Sequence, residues 1–318
     1  MLTNAIMVLA GFILLIKGAD FFVSGSASLA RKLGIPSLVV GLTVISIGTS
    51  APELFVNLIA AVQGSTALSI GNVLGSNFAD ILLGLGLAAL FTPLALQKGT
   101  VWKEIPFSLL AGFMILVFGS DLLLDGTLPN IITRSEGIAL LALFVVFIVY
   151  TFGVKQPGEQ PEEHIEVHSS NKTLGLILSG VAGLAIGGFI TVEGAVGLAE
   201  GFGISQNLIG LTVVAAGTSL PEIITSIQAA RKGHIDLVVG GIVGTIIFNA
   251  LFVLGVTALV RPLPFAADSL TDAFAVMGAT FLLFLSLFIG RKNHLGKTEG
   301  TIMLLLYFAY IIFAVVRG

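Results

Sequence analysis

Two glutamates stand deep inside apolar stretches of this 318-residue sequence, each directly after a proline. Glu53 ends the motif Gly-Thr-Ser-Ala-Pro-Glu at residues 48–53, and Glu222 ends Gly-Thr-Ser-Leu-Pro-Glu at residues 217–222. An acidic side chain at the centre of a bilayer costs roughly 2.5–3.5 kcal/mol on insertion scales, so such residues are retained for a function. Carboxylate oxygens are preferred ligands of hard metal ions, which makes cation binding the first chemistry to consider.

The two motifs belong to a longer internal repeat. Residues 41–86 align without a gap to residues 210–255, at an offset of 169 and with 18 of 46 positions identical. Residues 135–137 match residues 298–300 at an offset of 163, after a shortened loop. Two related halves that each supply one acid indicate a shared site between them.

The composition is that of a membrane protein. Hydrophobic residues make up 56% of the chain and charged residues only 10%, against about 25% charged in soluble domains. Apolar runs of about 20 residues, the length that a spanning helix needs, recur along the chain. We predict an all-α integral membrane protein with ten transmembrane helices, near residues 4–30, 37–62, 67–92, 102–120, 135–153, 173–199, 206–230, 236–260, 270–290 and 299–316. With no cysteine, a disulfide or thiolate metal site is impossible.

One polar stretch divides the ten predicted helices into two groups of five. The predicted organisation is a first five-helix repeat at 1–153, a linker at 154–172 and a second repeat at 173–318. Because five is odd, the second repeat enters the membrane from the opposite side, and the repeats are inverted.

Lysine and arginine predict the orientation. Loops after odd-numbered helices hold eleven of these residues and the opposite side holds three, which predicts outward termini and a cytoplasmic linker in the plasma (inner) membrane. The expected surroundings are the lipid bilayer and no nucleic acid, and we expect a single chain to be functional.

Four of the predicted helices carry an oxygen-bearing side chain at each of two positions one helical turn apart. Proline lacks an N–H, so it leaves a carbonyl one turn earlier without its helical partner. Residues four apart share a helix face. The pairs are Thr49 with Glu53, Thr218 with Glu222, Ser76 with Asp80, and Thr245 with Asn249.

An all-oxygen set of this kind selects calcium or sodium, and less readily magnesium, which demands a stricter octahedron. Glu53 and Glu222 can balance a divalent ion, and Asp80 adds a third negative charge. Three monovalent ions would neutralise these three negative charges, and so would one divalent ion together with one proton. This equivalence gives a physical route to ion exchange at one site.

The paired Gly-Thr-Ser-x-Pro-Glu motifs, each followed by a Gly-Ser-Asn-like segment, resemble the cation/calcium exchanger superfamily. The similarity is greatest to its sodium/calcium exchanger branch and covers essentially the whole chain. The resemblance implies ten helices, alternating access, sodium uptake against calcium and no cofactor. It makes Glu53 and Glu222 the central calcium ligands. The other ligands that it implies are the side chains of Thr49, Ser50, Thr218, Ser219, Ser76 and Thr245 and the carbonyls of Ser46 and Ala215.

This chain departs from the family pattern at one pair of positions. The family often has asparagine in the first repeat and an acid in the second, whereas this chain has Asp80 first and Asn249 second. The total charge is unchanged, but stoichiometry and any potassium involvement stay open.

Alternative interpretations remain. A calcium/proton antiporter could use the same acids as proton carriers. A cation channel is a second class, although channels usually build their pathway from symmetric subunits. An intramembrane enzyme is not expected, because the predicted helices contain no nucleophile–base pair. Lys17 and Asp20, three residues apart, are expected to pair with each other.

Overall fold

The computed structural model describes residues 1–64, 66–126, 129–153, 166–201, 215–289 and 291–317. Its helices form the ten predicted spans, numbered here in chain order. Eight of the described helices are long and apolar enough to cross a membrane. Spans one, four, five, six, nine and ten comprise Leu2–Leu33, Thr100–Phe118, Arg134–Gly153, Ser170–Gly201, Ala267–Ser286 and Lys297–Arg317.

The other four spans are interrupted within their length. Span two consists of Ser37–Thr49 and Ala51–Gln63, and the described part of span seven consists of Ala215–Thr218 and Leu220–Arg231. Spans three and eight contain a π-helical turn, which the sequence did not predict. Their segments are Thr66–Ala79, the π turn Asp80–Gly84 and Leu85–Phe91 in span three, and Ile235–Ile247, the π turn Phe248–Val253 and Leu254–Val260 in span eight.

Two further π turns, Gly41–Ile45 and Thr100–Glu104, lie in spans two and four, and a short helix, Asp121–Leu124, follows span four. The predicted linker at 154–172 is described only from residue 166, and span six begins at Ser170, before the predicted start. The first part of predicted span seven, residues 206–214, lies outside the described residues.

Four two-residue strands reveal the relation between the halves. The strands are β1 (Leu94–Ala95), β2 (Ile131–Ile132), β3 (Leu263–Pro264) and β4 (His294–Leu295). β1 pairs antiparallel with β4, and β2 pairs antiparallel with β3. The repeat offsets of 169 and 163 map β1 onto β3 and β2 onto β4, so one pairing becomes the other. The halves are therefore related by a pseudo-two-fold axis, as inverted repeats require.

Glycine contacts follow the same symmetry. A Cβ atom on Gly86 would lie 3.1 Å from the Gly300 carbonyl, and one on Gly137 would lie 2.9 Å from the Gly255 carbonyl. The first is the crossing of span three with span ten, and the second is the crossing of span five with span eight. The repeat offsets map Gly86 onto Gly255 and Gly137 onto Gly300, so the two crossings are equivalent. Only glycine allows the backbones to approach this closely.

Spans one and six form a long pair at the edge of the molecule. Cβ atoms on Gly11 and Gly18 would lie 2.8 Å and 3.0 Å from the carbonyls of Gly187 and Gly180. Of the apolar 18-residue stretch in each span, 33% is buried in span one and 28% in span six, whereas 94% is buried in span eight. Spans two, three, seven and eight thus form the centre of the protein, and the others face lipid.

The expected pairing of Lys17 with Asp20 is wrong. Asp20 instead forms an ion pair with Lys232 at the end of span seven, with Nζ 2.6 Å from Oδ1. Lys232 also donates to Ser24 Oγ at 2.7 Å. A partner on another span satisfies both the carboxylate and the neighbouring hydroxyl, which a lysine one turn away on the same helix does not.

The pair of spans one and six yields a stability prediction. A Cβ atom on Gly180 would lie 2.6 Å from the Phe22 backbone nitrogen, whereas one on Gly175, in the same helix, meets nothing within 4 Å among the described residues. We expect Gly180→Ala to destabilise the protein by about 1–3 kcal/mol through overpacking. Thermal unfolding of the detergent-solubilised protein measures the change. Gly175→Ala is the matched control, and an equal melting temperature for both variants would contradict the contact.

Candidate cation site

Both motif glutamates lie at the start of a helix in the middle of the protein. The helical run of span two is interrupted at Ser50, and Glu53 lies in the first turn of Ala51–Gln63. The run of span seven is interrupted in the same way at Ser219, and Glu222 lies in the first turn of Leu220–Arg231. Both side chains are buried, with 1% and 4% of their surface exposed. A helix N-terminus carries partial positive charge, so these breaks aim two favourable dipoles at the carboxylates.

The two halves meet through hydroxyl groups. Ser50 Oγ donates to Glu222 Oε1 at 3.0 Å and lies 3.4 Å from Thr245 Oγ1. On the other side of the site, Ser76 Oγ lies 3.4 Å from Thr218 Oγ1. Spans two, three, seven and eight therefore contribute side chains to one cluster.

Asp80 and Asn249 lie on the two π turns. Asp80 opens the turn Asp80–Gly84, which packs against the Glu222 helix, and Asn249 lies in Phe248–Val253, which packs against the Glu53 helix. Asp80 is buried with 1% of its surface exposed, so it adds a third carboxylate to the interior beside Glu53 and Glu222. A π turn widens the helix locally and is frequent at functional sites.

Many buried polar atoms of this cluster have no hydrogen-bond partner among the described residues. A buried acceptor without a partner costs about 1–3 kcal/mol, and more when it is charged. A cation or another donor at the cluster would offset this cost. The atoms are both carboxylate oxygens of Glu53 and of Asp80, Oε2 of Glu222, Oγ of Ser219, and the amide oxygen and nitrogen of Asn249.

The remaining predicted ligands lie in the short helices that precede the two breaks. Thr49 is buried and donates to the Ile45 carbonyl of its own helix at 3.0 Å. The Ser46 hydroxyl lies 2.9 Å from the Gly241 carbonyl of span eight, and the Ser46 carbonyl accepts the Ser50 N–H at 3.0 Å. Ala215 is the first residue of the short helix Ala215–Thr218. The Thr49 and Ser46 contacts are structural, and their roles as ligands stay predictions.

Two further asparagines, which the sequence patterns did not indicate, contact residues of the cluster. Asn72 Oδ1 lies 3.2 Å from Thr218 Oγ1, and Asn57 Nδ2 donates to the Glu53 carbonyl at 2.7 Å. Both are buried. Each lies four residues from a chosen residue, Asn72 before Ser76 and Asn57 after Glu53, so the spacing used for the hydroxyls would have found them.

The site is built from oxygen donors of different charge. In the described part of the chain, no group of three or more His, Cys, Asp or Glu side chains is arranged as a metal cluster.

Comparison with known proteins agrees with this geometry. The family model described as "Sodium/calcium exchanger protein" matches residues 3–153 and 172–316. The chain belongs to the sodium/calcium exchanger family. The family consists of membrane transporters that exchange cations, not of enzymes, and the chain is accordingly a cation exchanger.

Individual relatives extend over the whole chain. The CaxA protein of Alkalimonas amylolytica is 39% identical over 98% of both chains. The sodium/calcium exchanger MaX1 of Methanosarcina acetivorans is 30% identical over 97% of both. A solved structure of the sodium-calcium exchanger NCX_Mj superposes with a TM-score of 0.84, at 30% identity, over 98% of each chain. The predicted fold class is confirmed by this match.

The buried carboxylates give a binding prediction. A ligand that binds only the folded state at 100 times its Kd adds about 2.7 kcal/mol of stability. We therefore expect calcium to raise the melting temperature of the wild-type exchanger, and Glu53→Gln to remove most of that rise. Glu136→Gln is the matched control, because Glu136 caps span five through Thr133 at the surface. A full calcium-induced shift in Glu53→Gln would exclude Glu53 from the site.

Proposed function

We propose that this exchanger moves calcium out of the cell in exchange for sodium, and that both ions bind at the cluster between the two halves. Glu53 and Glu222 are the central calcium ligands. Around them, the proposed ligands are the side chains of Thr49, Ser50, Thr218, Ser219, Ser76, Asp80, Thr245 and Asn249 and the carbonyls of Ser46 and Ala215. The observation that carries the proposal is the set of buried carboxylate oxygens without a partner.

Charge balance explains why the two ions compete. Glu53, Glu222 and Asp80 supply up to three negative charges, which three sodium ions neutralise completely. One calcium ion neutralises two of them, and a proton can neutralise the third. Because both cargoes satisfy the same oxygen atoms, the site favours occupation by one or the other, and this is the basis of exchange.

Alternating access requires part of the molecule to move relative to the site. We propose that spans one and six move together, since they pack on each other through Gly11, Gly18, Gly180 and Gly187. Such a pair can slide or rock against spans two and seven and open the site first to one side and then to the other. The glycine contacts keep the pair together during the movement.

One chain is proposed to be the functional unit. Its two repeats, assigned to residues 1–153 and 173–318, each supply one motif glutamate. The site then needs no residue from a second copy. This arrangement also argues against a channel, in which several subunits commonly surround one pore.

Flux in proteoliposomes tests the function. We expect an outwardly directed sodium gradient to drive calcium uptake at a fixed pH on both sides of the membrane. Glu53→Gln and Glu222→Gln should each lower this uptake at least about tenfold, because each removes a charged ligand. Glu136→Gln should retain wild-type uptake. Folding of every variant is checked by size-exclusion chromatography in detergent.

The same assay separates the rivals. Calcium uptake that continues without sodium and follows a pH gradient would replace sodium with protons as the coupling ion. Uptake that does not saturate, and needs no counter-ion, would identify a channel.

The orientation has its own test. The excess of lysine and arginine after odd-numbered spans supports outward termini and a cytoplasmic linker in the plasma membrane. The natural chain has no cysteine, so single cysteines report cleanly on accessibility to an impermeant maleimide. We expect Asp125→Cys to react in intact cells and Glu166→Cys to react only after permeabilisation. The reverse pattern would invert the proposed direction of transport.

A further inference from the structure

The two halves of the site differ in one charged position, Asp80 in the first and Asn249 in the second. Asp80 and Asn249 occupy equivalent positions on the two π turns, at the repeat offset of 169. A different span covers each of them, span ten over Asp80 and span five over Asn249. The residues of these two covering spans can therefore be compared directly within one chain.

Span ten brings Tyr307 to the level of Asp80. Spans three and ten run antiparallel, and they touch at Gly86 and Gly300. Asp80 lies six residues before Gly86 and Tyr307 lies seven residues after Gly300, so at about 1.5 Å per residue both are roughly 9–11 Å from the contact. The Tyr307 ring is stacked 6.2 Å from Phe78, and span ten packs against the π turn that begins at Asp80.

The equivalent position in the other half is a phenylalanine. Spans five and eight touch at Gly137 and Gly255. The same counting brings Phe144 to the level of Asn249. The Phe144 ring lies 5.7 Å from Phe248 and 5.1 Å from Phe252, in an aromatic cluster without hydroxyl groups. The half that carries the acid thus has a tyrosine over it, and the half that carries the amide has a phenylalanine.

One turn further along span ten, a second tyrosine replaces a phenylalanine in the same way. Tyr310 is the counterpart of Phe147 at the offset of 163. Its hydroxyl donates to Asp272 of span nine at 2.5 Å, and Arg317 binds the same carboxylate oxygen at 2.8 Å. Tyr310 is thus engaged toward the end of the span, which leaves Tyr307 as the hydroxyl that span ten offers at the level of Asp80.

We propose that Tyr307 is a positioning residue for Asp80. This inference rests on the proposed function, in which Asp80 is a cation ligand. When an ion occupies the site, the Tyr307 hydroxyl donates a hydrogen bond, directly or through one water, to an Asp80 oxygen. That bond fixes the carboxylate rotamer and holds the remaining oxygen toward the ion. Without a donor, the second oxygen would stay buried and unsatisfied, which is costly for a charged group.

A double-mutant cycle tests the pairing. The variants are Tyr307→Phe, Asp80→Asn and their combination, and the readout is the sodium concentration that gives half-maximal calcium flux. We expect Tyr307→Phe to raise this concentration roughly tenfold or more, as loss of one hydrogen bond to a charged group does. In the Asp80→Asn background the same substitution should change it by less than about twofold, because no carboxylate is left to position.

Tyr310→Phe is the matched control, since it removes an equivalent hydroxyl from the same span. Its effect should be the same with Asp80 and with Asn at position 80. Equal effects of Tyr307→Phe in both backgrounds would overturn the proposal. So would an unchanged sodium dependence in Asp80→Asn, because Tyr307 would then have no ligand to orient.

A second readout separates this proposal from the proposed function. Sodium- and calcium-induced shifts in melting temperature are measured for the same variants in detergent, where no transport is needed. Coupling between Tyr307 and Asp80 in these shifts would support the positioning role even if sodium failed to drive calcium flux. Absence of coupling, with normal sodium-driven flux in the wild type, would reject Tyr307 alone and leave the exchange mechanism standing.

Discussion

The burial of carboxylates from two halves of one chain, deep in a membrane protein, is the constraint on which the rest of this structure depends. Glu53, Glu222 and Asp80 are each at most 4% exposed. Like charges this deeply buried are costly unless something compensates them. The helix N-termini at Glu53 and Glu222, and the Ser50 hydroxyl that donates to Glu222, offset part of this cost. In the proposed function the transported cations supply the rest of the compensation, and the cost of burying these carboxylates without a partner then favours ion binding.

The interruptions of the central spans follow from the same need. In a regular helix the backbone N–H and C=O groups bond to each other, so only side chains are available to a ligand. Breaks at Ser50 and Ser219 create helix ends in the interior, and the π turns at Asp80 and Phe248 shift the polar side chains. Irregular backbone is tolerated inside a membrane where protein or a polar cavity surrounds it. The surrounding spans provide that cover, and close glycine crossings keep them near.

Features that depend on residues close together in the chain could be predicted from the sequence. Hydropathy gave the spans to within a few residues, and the proline in each motif predicted the helix breaks beside Glu53 and Glu222. The π turns were missed because no residue type marks them. The partner of Asp20 was wrong because Lys232 lies 212 residues away, where spacing on one helix carries no information. Residues 154–165 and 202–214 fall outside the described ranges, so the linker and the repeat segment from Gly210 stay predictions there.

The departures from two-fold symmetry are of two kinds, and they have different meanings. Ser50 binds Glu222, whereas Ser219 and Glu53, the equivalent pair, are not hydrogen-bonded to each other. The residue types are the same, so this difference belongs to one conformation and can reverse when the inverted halves exchange roles. Two other differences are in the sequence itself. Asp80 corresponds to Asn249, and Ser24, which accepts a hydrogen bond from Lys232, corresponds to Glu193. A conformational change cannot exchange them. In the proposed alternating-access cycle, these differences make the two facing states unequal in energy, and the direction of the bias depends on side chains of spans one, three, six and eight.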